Sequence, residues 1–187
     1  MGYLRGFTPW VVYGLVSSFD WRGGALAGLL TGLFLFIQDR RRGIAADAQI
    51  LDVSTVVYFA GLVALAFAAP DSPLKPYADV LSFGWLALTA WGSLLIGRPF
   101  TLGIARLTTP PEYWDQPEFV RINVVITTVW AGAFTALGIS LAVCVLADAP
   151  GWVGVAVHVA GLAAPVTFTS LYSARAQARA EALAAAS

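Results

Sequence analysis

The stretch FVRINVVITTVWAGAFTALGISLAVCVLA, residues 119–147, is the longest apolar run in the chain and carries no charge after Arg121. A helix crosses the hydrocarbon core of a bilayer with about 20 residues, because each residue advances it by about 1.5 Å. This run is therefore long enough to span a membrane as a single helix.

Five other apolar segments accompany this run, and together they set the class of the protein. Hydrophobic residues make up 58% of the 187 residues and charged residues 12%. A soluble domain of this size cannot bury so much apolar surface. We therefore expect one all-α integral membrane domain over residues 1–187, a polytopic transmembrane helical bundle with five full spans and a short N-terminal helix. The other segments lie at residues 7–19, 23–38, 50–69, 77–97 and 152–173.

The first segment is the one whose relation to the membrane the sequence leaves open. Thr8 and Pro9 have the pattern of a helix N-cap followed by the first helical residue. The helix up to Phe19 is then only about 16 Å long. It fits a half-buried helix, an interfacial helix, or a sixth span that continues upstream through Tyr3 and Leu4.

Positive charge is concentrated in the connections on one side of the predicted bundle. Basic residues in short loops mark the cytoplasmic side of a membrane protein, and the opposite connections contain only Arg22 and Lys75. We therefore expect a cytoplasmic C-terminus, with residues 176–187 forming a cytoplasmic tail. The residues on the basic side are Arg40, Arg41, Arg42, Arg98, Arg106, Arg121, Arg175 and Arg179.

Small and polar residues recur at helical spacing within the apolar segments. Gly24, Gly28 and Gly32 share one face of the second segment, which predicts close packing against a neighbouring helix.

Three stripes of polar residues should also face inward, either as a dry seam or around a water-filled cavity. The stripes are Asp79, Ser82, Thr89 and Ser93; Asn123, Thr127 and Trp130; and His158, Gly161, Pro165, Thr169 and Tyr172.

The intramembrane polar candidates for a functional role are His158, Thr127 and Asp79. Ionisable residues within a span are costly and often functional, and His158 is the only histidine of the chain. Pro165 removes the hydrogen bond to the Gly161 carbonyl and so opens the helix close to that histidine. His158 is interpreted either as a proton or ligand site or as a structural histidine with satisfied hydrogen bonds.

Residues 98–121 are too polar to span a membrane and are predicted to form an ordered cytoplasmic loop. Asp115 and Glu118, with Pro117 between them, have the pattern of a capping box that starts the next helix. Trp114 should lie at the depth of the lipid headgroups, where amphipathic rings are favoured.

Three arginines of this region, Arg98, Arg106 and Arg121, indicate an anion site. Their convergence near a helix N-terminus would attract a phosphate or a carboxylate. We expect Arg98 and Arg121 to converge on Asp52 or on an anionic lipid headgroup; the alternative is that the arginines only orient the protein in the membrane. The ligand or lipid-headgroup candidates are Arg98, Arg106, Arg121, Asn123, Trp114 and Asp52.

Several classes of function find no support in the sequence. The single cysteine, Cys144, excludes an intramolecular disulfide and a cysteine-based metal cage. The 11 basic and 11 acidic residues leave no net charge for binding nucleic acid. No metalloprotease, phosphate-loop or nucleophile motif occurs. We therefore expect a protein that is not an enzyme and that has no cofactor, no metal and no nucleic-acid partner.

One loop and the helix that follows it resemble a known family. The residues that carry the resemblance are Gly97-Arg98-Pro99-Phe100, Pro111, Trp114, Asn123, Thr127 and Trp130. With the order of helices and loops, they are similar to the bacterial intracellular septation protein A family and related small inner-membrane proteins. The resemblance implies a multi-pass protein of the bacterial inner (plasma) membrane, linked to envelope maintenance and cell division, without catalytic residues.

Two functions follow as hypotheses. The first is a non-enzymatic protein of the cell envelope that binds membrane lipids, an envelope protein or a second copy of itself through its loop and helix faces. The second, alternative hypothesis is a small transporter or channel whose inward polar helix face lies around His158 and Asn123.

Overall fold

The chain folds into α-helices joined by short connections. The computed structural model describes residues 5–185, without the side chains of residues 46, 47 and 180–185. No strand occurs in that part of the chain, which confirms the all-α class. Its helices are α1 (Thr8–Ser17), α2 (Trp21–Arg41), α3 (Ile50–Ala68), α4 (Ala78–Leu95), α5 (Phe100–Arg106), α6 (Pro117–Leu146) and α7 (Gly151–Ala185), with 3-10 turns at Ala46–Gln49, Lys75–Tyr77 and Pro111–Tyr113.

Four helices of the described chain are long and apolar enough to cross a membrane, and they indicate a membrane protein. They are α3, α4 with the turn before it, α6, and α7 as far as Arg179. The remaining full span expected from the sequence, α2, has 21 residues but is not among the four. It carries Arg22 at its start and Asp39 to Arg41 at its end, so its apolar stretch is shorter.

Helix α1 is too short to cross a bilayer alone. Its 10 residues extend about 15 Å, half of the ~30 Å hydrocarbon core. It starts one residue earlier than expected, because Phe7 is the N-cap and makes no side-chain capping bond, while Pro9 lies in the first turn. The proposed continuation through Tyr3 and Leu4 lies outside the described residues.

Helices α1, α2 and α3 pack into one group through the predicted glycine face. A β-carbon on Gly28 would lie 2.6 Å from the ring of Phe59, and one on Gly24 would lie 2.7 Å from Ser17. Only glycine allows so close an approach. The prediction that these glycines contact neighbouring helices is therefore confirmed, and both contacts are within the chain.

Helices α4, α6 and α7 form the second group. Phe134 and Leu137 of α6 are almost fully buried in its core. Helix α7 packs so closely on α6 that a β-carbon on Gly161 would lie 2.3 Å from the Leu137 side chain. The indole nitrogen of Trp130 donates to the Thr169 hydroxyl at 3.0 Å and fixes the register of the two helices.

Polar side chains join the two groups where α3 meets α4. The Tyr58 and Ser82 hydroxyls are 2.8 Å apart, and the indole of Trp85 donates to the Ser54 hydroxyl at 2.8 Å. The Ser54 hydroxyl also pairs with that of Thr89. This part of the predicted polar stripes is a dry seam, because its side chains satisfy one another. The prediction that the stripes face inward is confirmed for Ser82, Ser93, Asn123, Thr127, Trp130, Pro165 and Thr169, which are buried. It is wrong for Asp79, which lies in the first turn of α4 and is exposed at the end of the bundle.

Candidate functional site

The GRPF sequence that follows α4 makes a sharp turn of defined geometry. The amide of Gly97 donates to the Leu94 carbonyl at 3.0 Å, and the amide of Arg98 donates to the Ser93 carbonyl at 2.8 Å. These two bonds form a Schellman motif, which needs a left-handed residue after the helix. Gly97 has that conformation, with φ of 68°. The backbone of Arg98 is therefore held directly against the end of α4.

Helix α5 starts immediately after this turn, and the sequence did not predict it. The Ser93 hydroxyl accepts a hydrogen bond from the Phe100 amide at 3.1 Å, which anchors the first residue of α5 to α4. Phe100, Thr101 and Ile104 are buried against the bundle. A helix of seven residues gives too short a periodic pattern to be recognised from sequence.

A pocket of about 490 Å³ lies between the turn and α5. Among the side chains that the structure describes, Arg98 and Arg106 are the charged ones that line it, and no carboxylate does. The described lining is Gly97, Arg98, Pro99, Leu102, Gly103 and Arg106. The Arg106 guanidinium lies over the Trp114 ring, 5.4 Å from its centroid. Trp114 is itself held by a 2.8 Å bond from its indole nitrogen to the Thr109 carbonyl. The structure thus brings together three of the headgroup candidates.

The other candidates of this region lie elsewhere. Arg121 is exposed on α6 and does not line the pocket. Asn123 and Thr127 are buried behind α5, where the Thr101 hydroxyl bonds to the Asn123 carbonyl at 3.0 Å and to the Thr127 hydroxyl at 2.8 Å. These two residues therefore hold α5 on α6 and are not available to a ligand in the pocket.

Helix α6 begins at Pro117, one residue later than the expected capping box at Asp115 would place its start, although Pro117 lies in the first turn as predicted. Its N-cap is Gln116, which makes no side-chain capping bond, and Asp115 lies one position too early to cap the helix. Since proline has no amide hydrogen, its place in the first turn leaves one fewer donor to satisfy.

Asp52 pairs with neither of the arginines expected to reach it. Its electrostatic neighbours are Arg5 and Asp39. Arg5 donates to the Asp39 carboxylate at 2.6 Å, and Asp39 is 7% exposed. The expectation that Arg98 and Arg121 converge on Asp52 is wrong. The basic residue close to Asp52 is Arg5, which lies near the start of the chain. Sequence spacing gives no signal for a contact between residues so far apart.

The intramembrane candidates His158 and Asp79 meet at the other end of α4. His158 Nε2 is 3.7 Å from Asp79 Oδ2, and both line an open cavity of about 600 Å³. The cavity and the basic pocket are separated by the 18 residues of α4, about 27 Å. The third intramembrane candidate, Thr127, is buried against α5 and does not line the cavity.

Neither concavity has the ligand set of a metal centre. Among the described residues, no three or more His, Cys, Asp or Glu side chains are grouped so that they could hold a metal ion. Comparisons of the chain with protein-family profiles, with curated proteins and with solved structures find no match.

Proposed function

We propose that this protein is a non-enzymatic protein of the bacterial inner membrane that binds the anionic headgroup of a phospholipid in the pocket of Arg98 and Arg106. The observation that carries the proposal is that both arginines line one concavity to which no acidic side chain among the described residues contributes. A phosphate group meets the hydrogen-bonding capacity and the charge of guanidinium groups well.

The level of the pocket favours a lipid over a free anion. It begins directly after Leu95, where the α4 span ends, and so lies where a span leaves the hydrocarbon core. Leu95 and Ile96 beside it are 88% and 66% exposed. A phospholipid would place its phosphate between the arginines and its acyl chains along these two side chains. A soluble phosphate would make no use of the apolar surface.

The distribution of charge supports a cytoplasmic location for the pocket. Arg40 and Arg41 lie in the last turn of α2 and Arg42 follows it, while Asp39 on the same turn is paired with Arg5. The turn Ala46–Gln49 then packs on α5. This end of the bundle therefore carries most of the basic residues, as cytoplasmic ends do. In this orientation the C-terminus is also cytoplasmic.

The experiment is a comparison of lipid retention by native mass spectrometry. The parent protein, Arg98→Gln with Arg106→Gln, and a control with Arg121→Gln and Arg175→Gln are mixed with phosphatidylglycerol or phosphatidylcholine. Both double variants remove two basic charges from the same end, but only the first changes the pocket. At ~1 kcal/mol per charge, the pocket variant should retain phosphatidylglycerol about thirtyfold less well than the parent.

Two outcomes would contradict the proposal. One is equal retention of phosphatidylglycerol and phosphatidylcholine by the parent protein. The other is an equal loss of retention in the pocket variant and the control, which would show that the arginines act only through the total charge. A melting curve for each variant distinguishes loss of binding from loss of folding.

A further inference from the structure

The cavity at the end of the bundle opposite the basic pocket has the size of a small-molecule site. Its volume of about 600 Å³ lies within the ~300–1,000 Å³ range of ligand pockets. It lies between the start of α4, the end of α6 and the start of α7. The lining residues that matter for its chemistry are Tyr77, Asp79, Val80, Leu141, Asp148 and His158.

The hydrogen bonds of His158 show which groups the cavity presents. Its Nδ1 is 2.7 Å from the Gly154 carbonyl oxygen. A carbonyl only accepts, so Nδ1 carries the proton, and in the neutral ring Nε2 is then an acceptor. That nitrogen faces the Asp79 carboxylate, a second acceptor, across 3.7 Å. When the ring is neutral, one donor group placed between these two acceptors can bond to both, and an ammonium group has three N–H hydrogens to donate.

The charge of the cavity points to the same kind of ligand. Asp79 and Asp148 line it, and within the described part of the chain neither a lysine nor an arginine does. The first turns of α4 and α7 contribute about half a positive charge each, and the last turn of α6 about half a negative charge. Two full carboxylate charges outweigh these partial charges, so that the cavity favours a cation over an anion.

The remaining walls distinguish an organic cation from a metal ion. Val80 and Leu141 offer apolar surface to an alkyl group, and the lining also includes Tyr77, an aromatic residue of the kind that attracts positive charge. The acidic and imidazole groups are not gathered closely enough to coordinate a metal ion. We propose that this cavity binds a primary organic ammonium ion, with the ammonium group between Asp79 and His158 and the carbon skeleton against the apolar walls.

This site is independent of the proposed headgroup site, because the two concavities share no residue. The transporter hypothesis also requires a ligand site at the outer end of the bundle, which is where this cavity would lie. The proposal can therefore be correct when the headgroup proposal fails, and the reverse also holds.

The test uses isothermal titration calorimetry of the full chain in phosphatidylcholine nanodiscs with three probes of matched shape. Cyclohexylammonium carries the charge that the cavity should select, cyclohexanol is neutral, and cyclohexanecarboxylate is anionic. We expect saturable binding of cyclohexylammonium and at least about tenfold weaker binding of the other two. Asp79→Asn should weaken cyclohexylammonium binding about tenfold or more. Asp71→Asn removes an exposed carboxylate in the connection that precedes α4, outside the cavity lining, and should leave binding unchanged.

Three results would overturn the proposal: no saturable binding of cyclohexylammonium to the parent, equal or tighter binding of cyclohexanecarboxylate, or equal affinity of the Asp79→Asn and Asp71→Asn variants. Because the Asp79 side chain is 53% exposed, its replacement by asparagine is compatible with folding. His158→Phe provides a second variant, which removes the other acceptor and should also weaken binding.

Discussion

The guanidinium group of Arg106 lies over the indole ring of Trp114, with 5.4 Å between its central carbon and the ring centroid. The contact joins the last residue of α5 to the segment that leads into α6. Trp114 is uncharged, so this contact holds the Arg106 side chain in place without changing the net charge of the basic pocket. A substitution at Trp114 therefore tests how the position of Arg106 affects binding while its charge stays the same.

Replacing Trp114 with leucine should weaken retention of phosphatidylglycerol by about two- to fivefold. The physical reason is loss of a cation–π contact of ~0.5–1 kcal/mol that holds the Arg106 side chain in place. Trp114→Phe keeps an aromatic face and should retain most of the binding. Trp152→Leu changes an exposed tryptophan at the opposite end and serves as the control. Equal retention by the Trp114→Leu variant and the parent, measured by native mass spectrometry, would argue against this role.

The Gly97→Ala variant should be less stable and should bind the headgroup less well. A side chain at φ of 68° costs about 1–2 kcal/mol, because the β-carbon approaches the following carbonyl. The turn that positions Arg98 would relax to avoid that cost. Gly92→Ala is the matched control, since Gly92 lies in the regular part of α4 with no atom within 4 Å of its added β-carbon. It should be neutral or slightly stabilising. A melting curve that ranks the two variants in the reverse order would count against the assigned turn.

The four helices that are long and apolar enough to cross a membrane could be predicted from sequence, because hydropathy is a local property of the chain. The apolar composition of residues 119–147 identifies a membrane-length helix whatever packs around it, and Pro117 marks its first turn, although the predicted cap at Asp115 was wrong. The glycine face of α2 was also recognisable, because helical spacing alone places its members together. In each case the residues that determine the feature lie within a single helix.

The arrangement of the site could not be predicted, because it depends on contacts between distant segments. Arg5 reaches Asp39, Thr101 meets Thr127, and His158 meets Asp79. Helix α5 could not be predicted for a different reason: its seven residues are too few to show a helical period. The three arginines were recognised as a group from their charge, but only two of them share a concavity.

The Gly28→Leu variant should be strongly destabilised. A β-carbon at this position would already lie 2.6 Å from the Phe59 ring, and the rest of a leucine side chain has no space. Overpacking of this kind costs at least ~1–3 kcal/mol. Gly61→Leu is the control, since Gly61 is exposed on α3 with no atom within 4 Å of an added β-carbon. Thermal unfolding in detergent should separate the two variants, and identical midpoints would contradict the observed helix packing.

The ion pair of Arg5 and Asp39 should contribute to stability, and its two halves should be coupled. Arg5→Gln leaves a buried carboxylate without its partner and should cost about 2 kcal/mol. This is less than the ~3–5 kcal/mol of a fully buried pair, because the Arg5 side chain is 33% exposed. Adding Asp39→Asn should restore part of the loss. Arg22→Gln, an exposed change at the other end of α2, is the control. Additive effects of Arg5→Gln and Asp39→Asn on unfolding would show that the two residues act separately.

Helix α2 should cross the membrane beside α3, which would give the bundle its fifth full span. The packing supports this prediction: Gly28 lies against Phe59 and Gly32 against Thr55, so the two helices run antiparallel at the same depth. The 21 residues of α2 extend about 31 Å, the thickness of a hydrocarbon core. Its exposed outer residues Leu30, Phe34 and Ile37 suit lipid.

Labelling of single cysteines in a Cys144→Ser background tests the crossing. A membrane-impermeant maleimide applied from outside should modify Phe19→Cys and Asp71→Cys in intact cells, and should modify Arg41→Cys and Thr108→Cys only after the membrane is opened. All four positions are exposed, so access depends on the side of the membrane. Labelling of Phe19→Cys from the same side as Arg41→Cys would show that α2 does not cross and that α1 and α2 form a hairpin entering from one face. Labelling of Asp71→Cys only after opening would reverse the orientation, and would move the basic pocket to the outer surface.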